Sequence, residues 1–197
     1  AGRHAEIGEE LRQSAWLAAA LALVSLLLFA YPEPFLAVAR LEPALEAKVR
    51  AYLHALTWSV PASLLFRVFY SFSTAISRPR TVMALTLVGL ALKVPLNWVF
   101  MYGNLGAPEL GSTGCAVATA LASWIVCALA WAWCWFDPGY RPYRVFARWS
   151  WPNAKALGRI LSLGLPIGLT FLIDVTGFTF MALFIARLGA LYSAAHQ

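Results

Sequence analysis

The chain alternates long apolar blocks with short polar stretches, and it reads as membrane helices. A helix needs about 20 mostly apolar residues to cross roughly 30 Å of hydrocarbon. Five blocks reach that length, at residues 14–31, 52–76, 82–102, 114–136 and 157–188. The first closes at "YPEP"; the second carries Pro61 and Arg67, and the third Lys93, Pro95 and Asn97. The last leaves room for a tilted span and a polar entry turn. Between the first two, "FLAVARL" (35–41) is too short to cross and is expected at the interface, and "EPALEAKVR" reads as an amphipathic lead-in. The pattern predicts an all-α integral membrane protein with five transmembrane helices and no internal repeat.

Composition agrees. Of the 197 residues, 61% are hydrophobic and 12% charged, where a soluble domain has roughly half and a quarter. Nine Trp suit the membrane–water interface. The net charge of +6 comes from basic residues lying between apolar runs, so it points to loops facing an anionic leaflet and not to nucleic acid. Cys115, Cys127 and Cys134 show no ligand spacing and read as small apolar helix residues. There is no Gly-rich phosphate loop, no nucleophile–His–acid set and no His/Cys metal pattern; His4, His54 and His196 are scattered. Neither an enzyme nor a cofactor is expected. The opening "AGRHAEIGEELRQS" does not read as a signal peptide, and "SAAHQ" follows directly on an apolar run, which suggests an internal piece of a longer chain.

Basic loops stay cytoplasmic. One side of the predicted bundle holds Arg3, Arg12, Arg78, Arg80, Arg141, Arg144, Arg148, Lys155 and Arg159, and the other Arg40, Lys48, Arg50 and Arg187. The start of the chain and the basic loop at 137–156 are therefore expected in the cytoplasm, with "GNLGAPELGSTG" outside. That basic loop is the expected boundary between two helical groups, 1–136 and 157–197.

Asp174, in "TFLIDVTGFTF", is the one acid placed deep in a span. A mid-bilayer Asp costs about 2.5–3.5 kcal/mol on insertion scales, which is bearable where it faces a cavity, finds partners or takes up a proton. Such a group can exchange a proton, a sodium ion or a cationic ligand; the other reading is a carboxyl that fixes helix packing. Thr170, Asp174, Gly177, Phe178 and Met181 share a helix face, on which a cationic organic molecule would meet charge and ring together. The same face also suits close helix packing. Pro166 can open the helix before the Asp. Lys93 and Arg67 either snorkel or line water. Asn97 is expected to face inward, because an amide cannot reach far. Thr119, in the small-residue stretch "GSTGCAVATALAS", is a packing hydroxyl or a ligand, with packing favoured.

Four pieces carry a family resemblance along essentially the whole chain: "AGRHAEIG" leading a span, "SFSTAISRPRTVM" joining two, "KVPLNWVFMYGNLGAPELGSTGCAVATA", and "LSLGLPIGLTFLIDVTGFTFMALFIARLGALYSAAHQ". Together they resemble the MATE (multidrug and toxic compound extrusion) transporters, in their NorM-like branch. The resemblance implies helices three to seven of a two-lobe bundle of twelve, with a second lobe still to come and a monomer when full-length. Residues 137–156 become the inter-lobe loop, in a bacterial inner membrane. It implies multidrug efflux by antiport, exporting organic, often cationic compounds against protons or sodium ions. Asp174 matches an acidic position used in ion or drug coupling, usually Glu, and would be the place for sodium. Asn97 and Thr119 match polar positions of an N-lobe cation site. Members with that site carry an acid four residues after the Asn, where this chain has Met101. The alternatives are a lipid-intermediate flippase of related fold, favoured by a cationic groove including Arg67 and Lys93, and a membrane scaffold without transport.

Overall fold

The computed structural model describes residues 2–31, 43–103, 110–143, 145 and 150–187. Within these the chain is helical: α1 (Gly2–Ala30), α2 (Pro43–Thr57), α3 (Ser59–Ala75), α4 (Pro79–Tyr102), α5 (Ser112–Phe136) and α6 (Ala154–Arg187), with a 3₁₀ turn at Arg141–Tyr143. The stretch at 35–41, most of the turn after α4, and the residues after 187 lie outside the described residues. Among the described residues, four helical stretches are long and apolar enough to cross a membrane: Glu6–Ala30, Pro79–Tyr102, Ser112–Phe136 and Ala154–Met181.

The predicted block 52–76 is not one unbroken helix. Its ladder is interrupted at Trp58, and α3 keeps 17 residues, about 26 Å at 1.5 Å per residue. Pro61 is the cause. It has no N–H for the carbonyl of Thr57, four residues back, and its ring crowds that carbonyl. Trp58 keeps right-handed dihedrals (φ −65°, ψ −20°), so the ladder opens without a sharp turn. Hydroxyls and an indole brace the gap. Thr57 Oγ1 donates to Leu53 O at 2.7 Å, Ser59 Oγ to Leu56 O at 2.7 Å, and Trp124 Nε1 on α5 to Trp58 O at 2.9 Å. Within a bilayer, freed backbone groups need such partners.

The chain divides into two compact units, Ala1–Pro152 and Asn153–Gln197. In the first, α5 is central and packs against α2, α3 and α4, while α1 packs on α3. Small residues make this possible: Gly114, Ala116, Ala118, Ala120 and Ala122 of α5 are all buried. A Cβ on Gly114 would run into the carbonyl of Phe100, and one on Gly89 would lie 2.9 Å from Val126 Cγ2. Membrane helices associate through such close backbone approach, since lipid offers no hydrophobic drive between them.

One end of this unit is closed by aromatics. Phe69, Phe72 and Tyr140 are buried together with Leu11, Val82 and Leu85, and Phe66, Trp131 and Tyr143 pack around them. The Phe69 and Tyr140 rings stack at 6.0 Å, and Phe72 meets Tyr143 edge-on at 5.4 Å. Helix α1 begins twelve residues before the predicted span, and side chains where the span starts have partners in the loop. Arg12 Nε donates to Ser150 Oγ at 3.0 Å, Gln13 Nε2 to Trp151 O at 3.0 Å, and Trp16 Nε1 to Ser150 O at 3.0 Å. The end of the basic loop is thus docked on the bundle.

The second unit is built on α6. Asn153 caps it, accepting from Lys155 N at 3.0 Å through its side chain, as expected at a helix start. Pro166 stands inside the helix, and Thr170 Oγ1 donates to its carbonyl at 3.0 Å. Leu163, Ile167, Phe171 and Phe178 are exposed, an apolar surface suited to lipid or to further helices.

Candidate functional site

Three of the predicted residues line one cavity. Arg67 of α3, Lys93 of α4 and Thr119 of α5 face a space of about 460 Å³. Each helix contributes one stripe to the wall: Ser63, Phe66, Arg67 and Tyr70 from α3, Thr86, Gly89 and Lys93 from α4, and Thr119, Ala122, Ser123 and Val126 from α5. These positions recur at three, four and seven residues, the spacing of one helix face. That spacing was available in the sequence and would have added Ser63, Tyr70, Thr86 and Ser123 to the candidates.

The cavity is cationic. Among the described residues no acidic side chain lines it, and Arg67 and Lys93 make no ion pair. Three of its hydroxyls are turned toward their own helices. Thr86 Oγ1 donates to Val82 O at 2.9 Å, Thr119 Oγ1 to Cys115 O at 2.8 Å, and Ser123 Oγ to Thr119 O at 2.8 Å. Thr119 therefore both satisfies its helix and walls the cavity. Arg67 also lines a second cavity, of about 450 Å³, between α1 and α3.

Asn97 lies one turn beyond Lys93 and is not among the lining residues. Its Oδ1 is buried and has no hydrogen-bond partner among the described residues. Buried polar atoms in folded proteins nearly always have partners, so this amide is poised to accept a hydrogen bond or a cation. Asp174 and Thr170 stand on α6, in the second unit, and both are exposed there. Thr170 uses its hydroxyl proton on the Pro166 carbonyl, which leaves its oxygen lone pairs toward the surroundings.

A polar cluster that the sequence reading missed joins the end of α5 to the α3–α4 turn. Arg78 Nη1 donates to Asp137 Oδ2 at 3.1 Å, and the Arg78 guanidinium lies 5.3 Å from the centre of the Tyr140 ring. Asp137 also accepts from Gly139 N at 2.7 Å and Trp133 Nε1 at 3.2 Å. The Gly139 N–H, helped by the Trp133 indole and Arg78, holds the Asp137 carboxyl below its ordinary range, against the opposing effect of burial. The partners are 59 residues apart, too far for any local pattern to reveal.

The MatE family model matches residues 1–99. The chain is 40% identical over 191 residues, 97% of its length, to the "Probable multidrug resistance protein NorM" of Aromatoleum aromaticum. It is 38% identical over its full length to the "Multidrug resistance protein NorM" of Aliivibrio fischeri, and 36% identical to that of Vibrio cholerae. It spans about two fifths of these relatives, 41% of the first and 43% of the other two. With its apolar membrane-length helices and a family match over half its residues, the chain belongs to the MatE family of membrane transporters.

Proposed function

We propose that this chain forms part of a multidrug efflux antiporter that exports organic, often cationic compounds in exchange for protons or sodium ions. The observation that carries the reading is the similarity, over 97–100% of the chain, to relatives named multidrug resistance proteins. Asp174 is the coupling group in this account. It is the one acid within the apolar length of α6, and it follows Pro166 by two turns. Ion binding at Asp174 favours one access state, and ion release favours the drug-binding state. Coupling of this kind requires ligand affinities that differ between the two states.

The remaining parts follow from the same reading. Residues 1–136 belong to one lobe, 137–156 form the cytoplasmic connection, and α6 opens the second lobe, whose other helices complete a monomeric transporter in the bacterial inner membrane. Thr119 lines the path within the first lobe, with Asn97 one turn beyond Lys93, Thr170 stands one turn before Asp174 on α6, and sodium, where it is the coupling ion, binds at Asp174. The docking of Ser150 and Trp151 on α1 supports a connection held close to the first lobe. The test is gradient-driven transport by the full-length parent in proteoliposomes. An imposed proton or sodium gradient should drive ethidium movement, and failure of both gradients would contradict the proposal.

A second reading, a lipid-intermediate flippase, has one observation in its favour: Arg67 and Lys93 wall the same cavity. Flipping of a labelled lipid phosphate by the full-length parent, without ethidium transport, would select it.

A further inference from the structure

A loop that joins two lobes either gives slack to their motion or travels with one of them. The described residues of the loop after α5 are held on the bundle at both ends. At its start, Tyr140 is 1% exposed and bonds to Ser73 Oγ at 3.1 Å, and Asp137 pairs with Arg78 at 3.1 Å. The carbonyl of Tyr143 lies against α1 at Gly8, where a Cβ would run into it. At its end, the side chains of Arg12, Gln13 and Trp16 each donate a 3.0 Å bond to Ser150 or Trp151. Gln13 is wholly buried, and its Nε2 donates to both the Trp151 carbonyl and Glu9 Oε1. Peeling the loop away would strand buried polar groups and bare the aromatic cluster, and both are costly.

Helix α6 is anchored just as closely at its own start. Asn153 accepts from Lys155 N through its side chain at 3.0 Å, and from Leu157 N through its carbonyl at 2.9 Å. Pro152 is therefore the one residue between the last docked carbonyl and the cap of α6, and the two compact units divide beside it. Proline fixes its own φ and biases Trp151 toward extended backbone. The torsions left free to turn are few, chiefly ψ of Pro152 and φ of Asn153. Hinges are built from a few such residues at the ends of elements.

We propose that the docked residues of this loop move with the first lobe, and that residues 151–153 are the hinge at which the second lobe turns during transport. The hinge rests on the antiporter reading; the docking does not. The connection then supplies no slack, and a change of access state has to pass through the backbone beside Pro152.

Hydrogen exchange of the detergent-purified full-length parent, followed by mass spectrometry, reads the docking without any variant. It is run with and without sodium and with and without ethidium. Peptides covering 137–143 should exchange at least about tenfold slower than the same peptides unfolded, in every condition. Exchange within about tenfold of the unfolded rate in any condition overturns the proposal. Two reversible bridges then read the hinge, by gradient-driven ethidium transport in proteoliposomes. Each joins a cysteine pair with a short bis-methanethiosulfonate, in a parent whose other cysteines are replaced by alanine. The Arg12→Cys/Ser150→Cys bridge ties the loop to α1 and should leave transport within about twofold of the unbridged protein. The Trp151→Cys/Lys155→Cys bridge spans the hinge and should lower transport at least about tenfold, with recovery on reduction. Both of those side chains are exposed, and the bond from Gln13 uses the Trp151 carbonyl, so it survives the substitution. A fall of more than about twofold with the first bridge, or of less than about tenfold with the second, overturns the proposal. Wild-type protein that moves no ethidium under either gradient contradicts the antiporter proposal instead, and hydrogen exchange still decides the docking.

Discussion

The Tyr140 hydroxyl meets Ser73 Oγ at 3.1 Å, with both residues almost wholly buried. One lies in the loop after α5 and the other on the last turns of α3, so this bond ties the loop to the bundle. Tyr140→Phe should leave the Ser73 hydroxyl buried without this partner and cost about 1–3 kcal/mol. Tyr140→Ala should cost more, about 3–5 kcal/mol, because the ring fills the aromatic cluster. Thermal unfolding of the detergent-purified full-length protein would check the order. Equal Tm for wild type and Tyr140→Phe would show that the bond does not matter.

The Asp137 cluster gives a pH dependence. Its carboxyl is held below the ordinary range when folded, so the stabilisation is present above the ordinary carboxylate pKa and is lost as pH falls through the lower, folded value. Asp137→Asn should lower stability at pH 7 by under about 1 kcal/mol, since the ion pair is part-exposed. The gap from wild type should close on acidification. Tm measured against pH for both proteins checks this, and a gap that widened toward acid would reverse the assigned sign.

Two glycines should respond differently to alanine. At Gly114 the new Cβ meets the backbone carbonyl of Phe100, which cannot move without shifting α4. That change should cost about 1–3 kcal/mol. At Gly89 the obstacle is a Val126 methyl at 2.9 Å, and a side-chain adjustment should hold the cost below that of Gly114→Ala. Comparing the two variants by thermal unfolding decides whether α4 and α5 approach as closely as described.

Ser77 closes α3 in a left-handed conformation, φ 60°. Its N–H donates to Thr74 O at 3.0 Å, and Arg78 N donates to Ser73 O at 2.8 Å, the bond pair of a Schellman cap. Glycine is the residue that takes this conformation without steric cost. Ser77→Gly should therefore stabilise the protein by about 1 kcal/mol, visible as a raised Tm; a lowered Tm would point to a role for the Ser77 side chain.

The helices were legible because spanning hydrocarbon demands about 20 apolar residues, a long-range signal that survives local exceptions. The predicted spans at 82–102 and 114–136 differ from α4 and α5 by three residues or fewer at each end. The interruption at Trp58 could have been read from Pro61, but hydropathy averages over a single missing N–H. The meeting of Arg67, Lys93 and Thr119 was not legible, because it depends on which faces α3, α4 and α5 turn toward one another. The docking of Tyr140 was hidden for a similar reason. "DPGYRPYRV" reads as a polar, basic loop, and only its partners on α3 and α4 give the ring a place to bury.

The most direct test of the account is transport by the full-length parent with Asp174→Asn, in inverted membrane vesicles. Gradient-driven ethidium uptake and ethidium exchange without a gradient are measured side by side. The account predicts that gradient-driven uptake falls at least about tenfold, a loss of about 1.4 kcal/mol or more of coupling, while exchange persists. Gradient-driven uptake equal to that of the wild type would contradict the role given to Asp174.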